Sequence, residues 1–110
     1  MEKPPKPRGR PEDLIVEQIK RYLREREWLV KKTHGNQFQS GLPDLYCHHK
    51  RYGQRWIEVK TKVGKLESSQ VEFFTELSAA GCGVWVLTGA TDEEYAKLFH
   101  AANWYTFLKF

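Results

Sequence analysis

The chain has 110 residues, room for one small domain and little more. Hydrophobic residues make up 40%, enough for a single core, and 18 basic against 14 acidic residues leave a formal charge of +4, which suits a polyanionic partner without requiring one. Two cysteines without zinc-like spacing argue against a disulfide scaffold or a zinc module, and no apolar run is long enough to span a bilayer.

Residues 1–11 are Pro-rich and basic, and read as a flexible tail without core residues. Pro7-Arg8-Gly9-Arg10-Pro11 resembles the core of an AT-hook, which lays arginines into a narrow minor groove. A generic phosphate-binding or solubilising tail remains the alternative reading. Residues 12–110 then form the domain. Glu12 to Arg26 reads as a helix, with Ile15, Val16, Ile19, Tyr22 and Leu23 at helical spacing and Pro11 near its first turn. Glu12 heads that apolar stripe, one turn ahead of Val16, whereas Glu17 points away. A first-turn acid is also favoured by the helix dipole alone.

Trp28 to Thr33 reads as a strand at or near a sheet edge, because Lys31 and Lys32 are adjacent. A polar, Gly-bearing loop follows, and its His34 reads as solvated. Leu42 to His48 is a second strand. His48-His49-Lys50-Arg51 then reads as a basic turn of solvated residues or, with Arg55, as phosphate contacts. Neighbouring strand residues face opposite ways, so the two histidines cannot easily share a metal. Trp56 to Thr61 is a third strand.

Gly53 lies in a connection short enough for a hairpin. Such a hairpin brings Asp44 alongside Glu58. Glu58 and Lys60, two apart, share one face of their strand while Ile57 and Val59 take the other. Two carboxylates and an ammonium then converge on one point of a sheet. Carboxylates in pairs hold hard cations such as Mg²⁺, and a lysine beside them can orient water and balance developing charge. A surface Glu–Lys pair is the bland reading of the same residues. Pro43-Asp44 at hairpin distance tells against it, as do Ile57 and Val59, which suggest a covered strand.

Thr61 to Lys65 reads as a basic loop in which Lys62 and Lys65 can track a phosphate backbone. A helix over Glu67–Ala80 follows, with Ser69 and Glu72 as a possible capping box. Gln70 shares the face of Phe74 and Leu77, where a polar group wants a partner. Gly81 stops that helix. Gly83 to Thr88 is a buried strand. Thr91 with Glu94 starts a third helix that ends near Ala102. The aromatic-rich end, Trp104 to Phe110, packs on its own domain or, on a sharper reading, forms a dimer contact.

Gly41-Leu42-Pro43-Asp44-Leu45, Ile57-Glu58-Val59-Lys60-Thr61, Gly64-Lys65-Leu66 and Gln70 together resemble the PD-(D/E)xK nuclease superfamily and, within it, the VRR-NUC (virus-type replication-repair nuclease) family. The resemblance covers roughly residues 12–90. It implies a restriction-endonuclease-like α/β core, a small mixed sheet flanked by helices in the order α-β-β-β-α-β-α. It implies a Mg²⁺- or Mn²⁺-dependent deoxyribonuclease without an organic cofactor. Asp44, Glu58, Lys60 and Gln70 would be catalytic. Glu12, Asp44, Glu58 and the backbone carbonyl of Val59 would hold the metal, and Arg8, Arg10, Lys50, Arg51, Lys62 and Lys65 would bind DNA. Gln70 would support Lys60 or a phosphate. Four residues on, where relatives can carry tyrosine, stands Phe74, so a hydroxyl contact is lost. Lone domains of this kind resemble Holliday-junction resolvases, implying branched DNA and a symmetric homodimer. A flap endonuclease, an exonuclease or a non-catalytic DNA-binding module remain alternatives. The expected location is the cytoplasm of a bacterium, or of a host cell if the gene is viral.

Overall fold

The computed structural model describes residues 11–33 and 41–108. Arg8, Arg10, all of the AT-hook-like segment but Pro11, and His34 lie outside the described residues. The elements run α1 (Pro11–Arg24), β1 (Leu29–Lys32), β2 (Leu45–His49), β3 (Gly53–Val59), α2 (Ser68–Ala79), β4 (Val84–Leu87) and α3 (Asp92–Ala96). Short 3-10 turns follow at Lys97–Phe99 and Trp104–Phe107. This is the expected α-β-β-β-α-β-α order. No helix of the described residues is long and apolar enough to cross a membrane.

The sheet has the order β1-β2-β3-β4. The first two pairings are antiparallel and β3–β4 is parallel, so the sheet is mixed. A parallel neighbour needs a crossover, and α2 supplies it. The adjacent lysines Lys31 and Lys32 do mark an edge, since β1 is the outermost strand. Side chains alternate between two apolar layers. Leu45, Cys47, Ile57 and Val59 face α1, where Val16, Ile19 and Leu23 meet them. On the other side Val84 and Val86 join Leu66 and Phe74, with Trp56 and Trp104 packed around them. Each fully buried Leu, Ile or Phe contributes roughly 1.5–3 kcal/mol by leaving water.

Helix α1 ends two residues earlier than expected. Glu27 takes a left-handed backbone, φ 69°, and the Trp28 N–H turns back to the Leu23 carbonyl at 3.1 Å. The capping box of α2 is not Ser69 with Glu72. The Glu67 side chain accepts from the Gln70 backbone, and the Gln70 side chain accepts from the Glu67 N–H. Thr91 caps α3 as expected, accepting from the Glu94 N–H at 3.2 Å, but the α-helix stops at Ala96 rather than near Ala102. The Glu94 carboxylate leaves the cap and accepts from the Thr88 N–H at 2.6 Å, with Lys97 2.6 Å away. Burial alone would raise its pKa, but these contacts pull it below the ordinary value.

His49 corrects the reading of a solvated His-His turn. Strand β2 runs on to His49, whose alternation places it with Leu45 and Cys47 on the core side, 7% exposed. Its ring lies 5.1 Å from Trp28 and 4.6 Å from Tyr52, and its Nδ1 accepts from the Arg51 N–H at 3.0 Å. His48 points the other way and is exposed. Arg55 is structural too, donating to the Leu98 carbonyl at 2.8 Å and stacking over Trp85.

Of the aromatic-rich end, the described residues Trp104 to Leu108 pack on their own domain, and Lys109 and Phe110 lie outside the described residues. Trp104 meets Phe74 edge-on and donates to the Ser78 hydroxyl at 3.0 Å, and the Phe107 carbonyl accepts from the Leu66 N–H at 3.0 Å.

Candidate active site

The geometry of the candidate site follows from one hairpin register. Leu45 pairs with Ile57, so Asp44 and Glu58 stand opposite each other one step beyond. Asp44 sits just before β2 and is reached through Gly41, whose φ of 91° suits glycine. A Cβ at Gly41 would lie 2.4 Å from the Ser69 carbonyl oxygen. The chain entering Asp44 therefore lies directly on the first turn of α2.

Two reciprocal contacts lock the carboxylates. The Asp44 N–H donates to Glu58 Oε1 at 3.2 Å, and the Val59 N–H donates to Asp44 Oδ2 at 2.8 Å. Gln70 reaches down from α2 and donates to the other Glu58 oxygen at 2.7 Å. Because Gln70 Oε1 accepts from the Glu67 N–H at 2.8 Å, its amide can turn only its NH₂ toward Glu58. Gln70 thus holds Glu58, not Lys60. Lys60 Nζ lies 3.6 Å from Glu58 Oε2, and both residues are buried, at 6% and 2% exposure.

These groups open onto a cavity of about 560 Å³ lined by Pro11, Glu12, Asp44, Glu58, Lys60, Thr61, Lys65, Glu67 and Gln70. Glu12 therefore reaches the cavity wall from α1, and its charge adds a little to the rise in the Asp44 pKa that burial chiefly causes. It does not close on the pair. Among the described residues, no three His, Cys, Asp or Glu side chains gather tightly enough to hold an ion. Lys65 lines the cavity. Lys62 is exposed outside that lining. Lys50 and Arg51 are exposed at the turn that closes β2 onto β3, the far end of the hairpin from Asp44.

Electrostatically the site is under strain. Burial and then the Asp44 charge push Glu58 up to about 8, against the pull of Lys60 and Gln70. Burial also raises Asp44, opposed by the Val59 N–H and Lys60. A buried and a half-buried carboxyl this close cannot both ionise cheaply. A hard divalent cation would relieve that repulsion, so the donor set fits one. Glu67, Thr61 and Pro11 line the cavity but were not placed at the site from the sequence. For Glu67 the signal is the Glu67-x-x-Gln70 spacing, a weak one because Glu is a poor N-cap; Thr61 and Pro11 carry none.

The family model of the VRR-NUC domain matches residues 9–91. A solved structure described as a VRR_NUC domain is similar to this chain at 24% identity and a TM-score of 0.67, over 80% of this chain and 92% of that one. That likeness is one of fold. No curated protein matches the sequence.

Proposed function

The chain belongs to the VRR-NUC domain family, a nuclease family, and from that premise we propose that it is a Mg²⁺- or Mn²⁺-dependent DNA endonuclease acting on branched DNA, in the manner of a Holliday-junction resolvase. The observation that carries the proposal is the Asp44–Glu58–Lys60 corner, with Glu58 and Lys60 buried, Asp44 half-buried and Gln70 fastened to Glu58. Asp44, Glu58 and the Val59 carbonyl are the proposed metal ligands, with Glu12 on the facing wall as a further carboxylate. A bound cation supplies polarisation of the phosphate and acidification of a water.

The chain's own residues do the rest. Lys60 places an ammonium beside Glu58, where it orients the attacking water and offsets charge that builds on the phosphate. Gln70 keeps Glu58 from rotating away. Lys65 and Thr61, at the rim, hold flanking phosphates, and Lys62 extends the basic surface. Arg8, Arg10, Lys50 and Arg51 supply further sequence-independent phosphate contacts. Branch preference and a two-fold dimer rest on the family alone, and the cytoplasm remains the proposed location.

The deciding assay incubates purified protein with labelled four-way junction, flap, duplex and single-stranded DNA, with and without Mg²⁺ or Mn²⁺. Paired symmetric nicks in the junction are expected. Flap removal or stepwise end shortening would replace resolution with a flap-endonuclease or exonuclease reading. Binding without cleavage in either metal would make the chain a DNA-binding module. Asp44→Ala and Lys60→Ala are expected to abolish cleavage while keeping the fold.

A further inference from the structure

The turn that follows Lys60 carries an apolar side chain for which the fold has no use. Val63 is 87% exposed, more than any other large hydrophobic residue among those described. A lone surface aliphatic is ordinary in itself. Three facts set this one apart. It lies at the tip of a closed turn, in which the Gly64 N–H donates to the Thr61 carbonyl at 2.9 Å. That turn is folded hard against the proposed catalytic lysine, since a Cβ on Gly64 would come within 3.3 Å of Lys60 Cβ and 3.2 Å of the Thr61 carbonyl oxygen. Its far end is anchored by Leu66, 1% exposed and hydrogen-bonded to Phe107. The tip is therefore held at a set height beside the cavity, between residues 61 and 65, which line it.

Its neighbours are cationic. Lys62 and Lys65 are both exposed. Two ammoniums suit phosphates, but an isopropyl group between them does not. A phosphate backbone offers such a group no apolar partner. Where the base stack is interrupted, at a fork, flap or junction, an unstacked base face is open to it, and apolar contact there is favourable. We infer that Val63 is a specificity-determining residue that packs against the exposed base at a break in DNA stacking, and so selects branched over continuous duplex substrate beside the cut. The inference rests on the nuclease reading above and names the feature of the substrate that the site recognises.

The test uses the full chain, Val63→Ser and Val63→Leu, with three substrates: bis(p-nitrophenyl) phosphate, continuous duplex, and a flapped duplex with 2-aminopurine at the branch. In Mn²⁺, Val63→Ser should lose on the order of tenfold in kcat/KM on the flapped DNA, and nothing on the small diester or the duplex. Val63→Leu, which keeps an apolar side chain, should retain wild-type activity on the flapped DNA. In EDTA, wild type and Val63→Leu should raise 2-aminopurine fluorescence, and Val63→Ser should not. Equal losses of Val63→Ser on all three substrates, or an unchanged rate and fluorescence on the flapped DNA, overturn the inference. A wild-type protein inert toward every substrate, the small diester included, overturns the nuclease reading instead, and the fluorescence in EDTA then decides the role of Val63 by itself.

Discussion

Gln70 Nε2 stands 2.7 Å from Glu58 Oε2, and the helix cap on the other side of the same amide leaves Gln70 no second orientation. The helix start and the carboxylate are one assembly. A glutamine that merely capped a helix would be replaceable by glutamate. Here Gln70→Glu sets a third carboxylate against an already crowded pair.

Both Gln70→Glu and Gln70→Ala should therefore lower kcat by about 10- to 100-fold, the range usual for groups that orient a metal ligand. Metal affinity should distinguish them. Gln70→Ala weakens Mg²⁺ binding by releasing Glu58, whereas Gln70→Glu holds or strengthens binding through added charge. Titration calorimetry on both variants measures this. Wild-type kcat in Gln70→Ala would show that Glu58 needs no such support.

The Glu58 shift makes stability depend on pH. Its folded-state pKa is about 8 against an ordinary 4.5. Between those values the folded chain keeps a proton that the unfolded chain has lost, so folding takes up a proton and stability falls as pH rises. Asp44 is raised as well and works in the same direction. Glu94, lowered, costs stability only on the acid side, below its ordinary value. In chelator, Tm should thus decline from about pH 5 to about pH 8, and Glu58→Gln should flatten the decline. Mg²⁺ should raise Tm at pH 8 far more than at pH 5. A Tm that climbs with pH in EDTA would mean that the pair is not strained.

Gly41 and Gly81 form a matched comparison. Both have positive φ, 91° and 88°. Around Gly81 a Cβ meets nothing within 4 Å, whereas at Gly41 it would meet the Ser69 carbonyl. Gly81→Ala should cost only backbone strain, about 1 kcal/mol. Gly41→Ala adds a backbone collision that must move Asp44 or α2, so it should cost more than about 2 kcal/mol and also reduce kcat. Urea denaturation of the two variants gives the difference. Equal costs would show that the loop yields freely at Gly41.

The Asp44–Glu58–Lys60 corner was readable because it depends on short-range rules: a period of two within one strand and a hairpin connection too short to allow another pairing. Lys31-Lys32 announced the edge for the same reason. His49 was readable by the same alternation, since it lies two and four residues beyond Cys47 and Leu45, but its polar type and its neighbour His48 pointed outward instead. The partner of Gln70 was not readable. It lies on another element twelve positions away, and only the packing of α2 on β3 decides between Glu58 and Lys60. The short α3 was overextended because Ala101 and Ala102 suit a helix, while tertiary contacts to the His100 and Leu98 carbonyls from Trp85 and Arg55 break it first.

Asn103 closes the open side of β4. Its Oδ1 accepts from the Val86 N–H at 2.7 Å and its Nδ2 donates to the Val86 carbonyl at 3.1 Å, so one side-chain amide stands in for a neighbouring strand. Val86 is fully buried, and water cannot readily replace either bond. Asn103→Ala should cost about 2 kcal/mol or more, because both backbone groups lose their partner under cover. Asn103→Asp keeps an acceptor for the N–H but at neutral pH turns a carboxylate toward the Val86 carbonyl, so it should be no better there. Once protonated it can again donate and accept, and its deficit relative to wild type should shrink as pH falls toward 4. The freed edge should also promote self-association, visible as concentration-dependent sedimentation. A deficit of Asn103→Ala below about 0.5 kcal/mol in urea denaturation, the scatter of ordinary surface changes, would show that other groups close the edge.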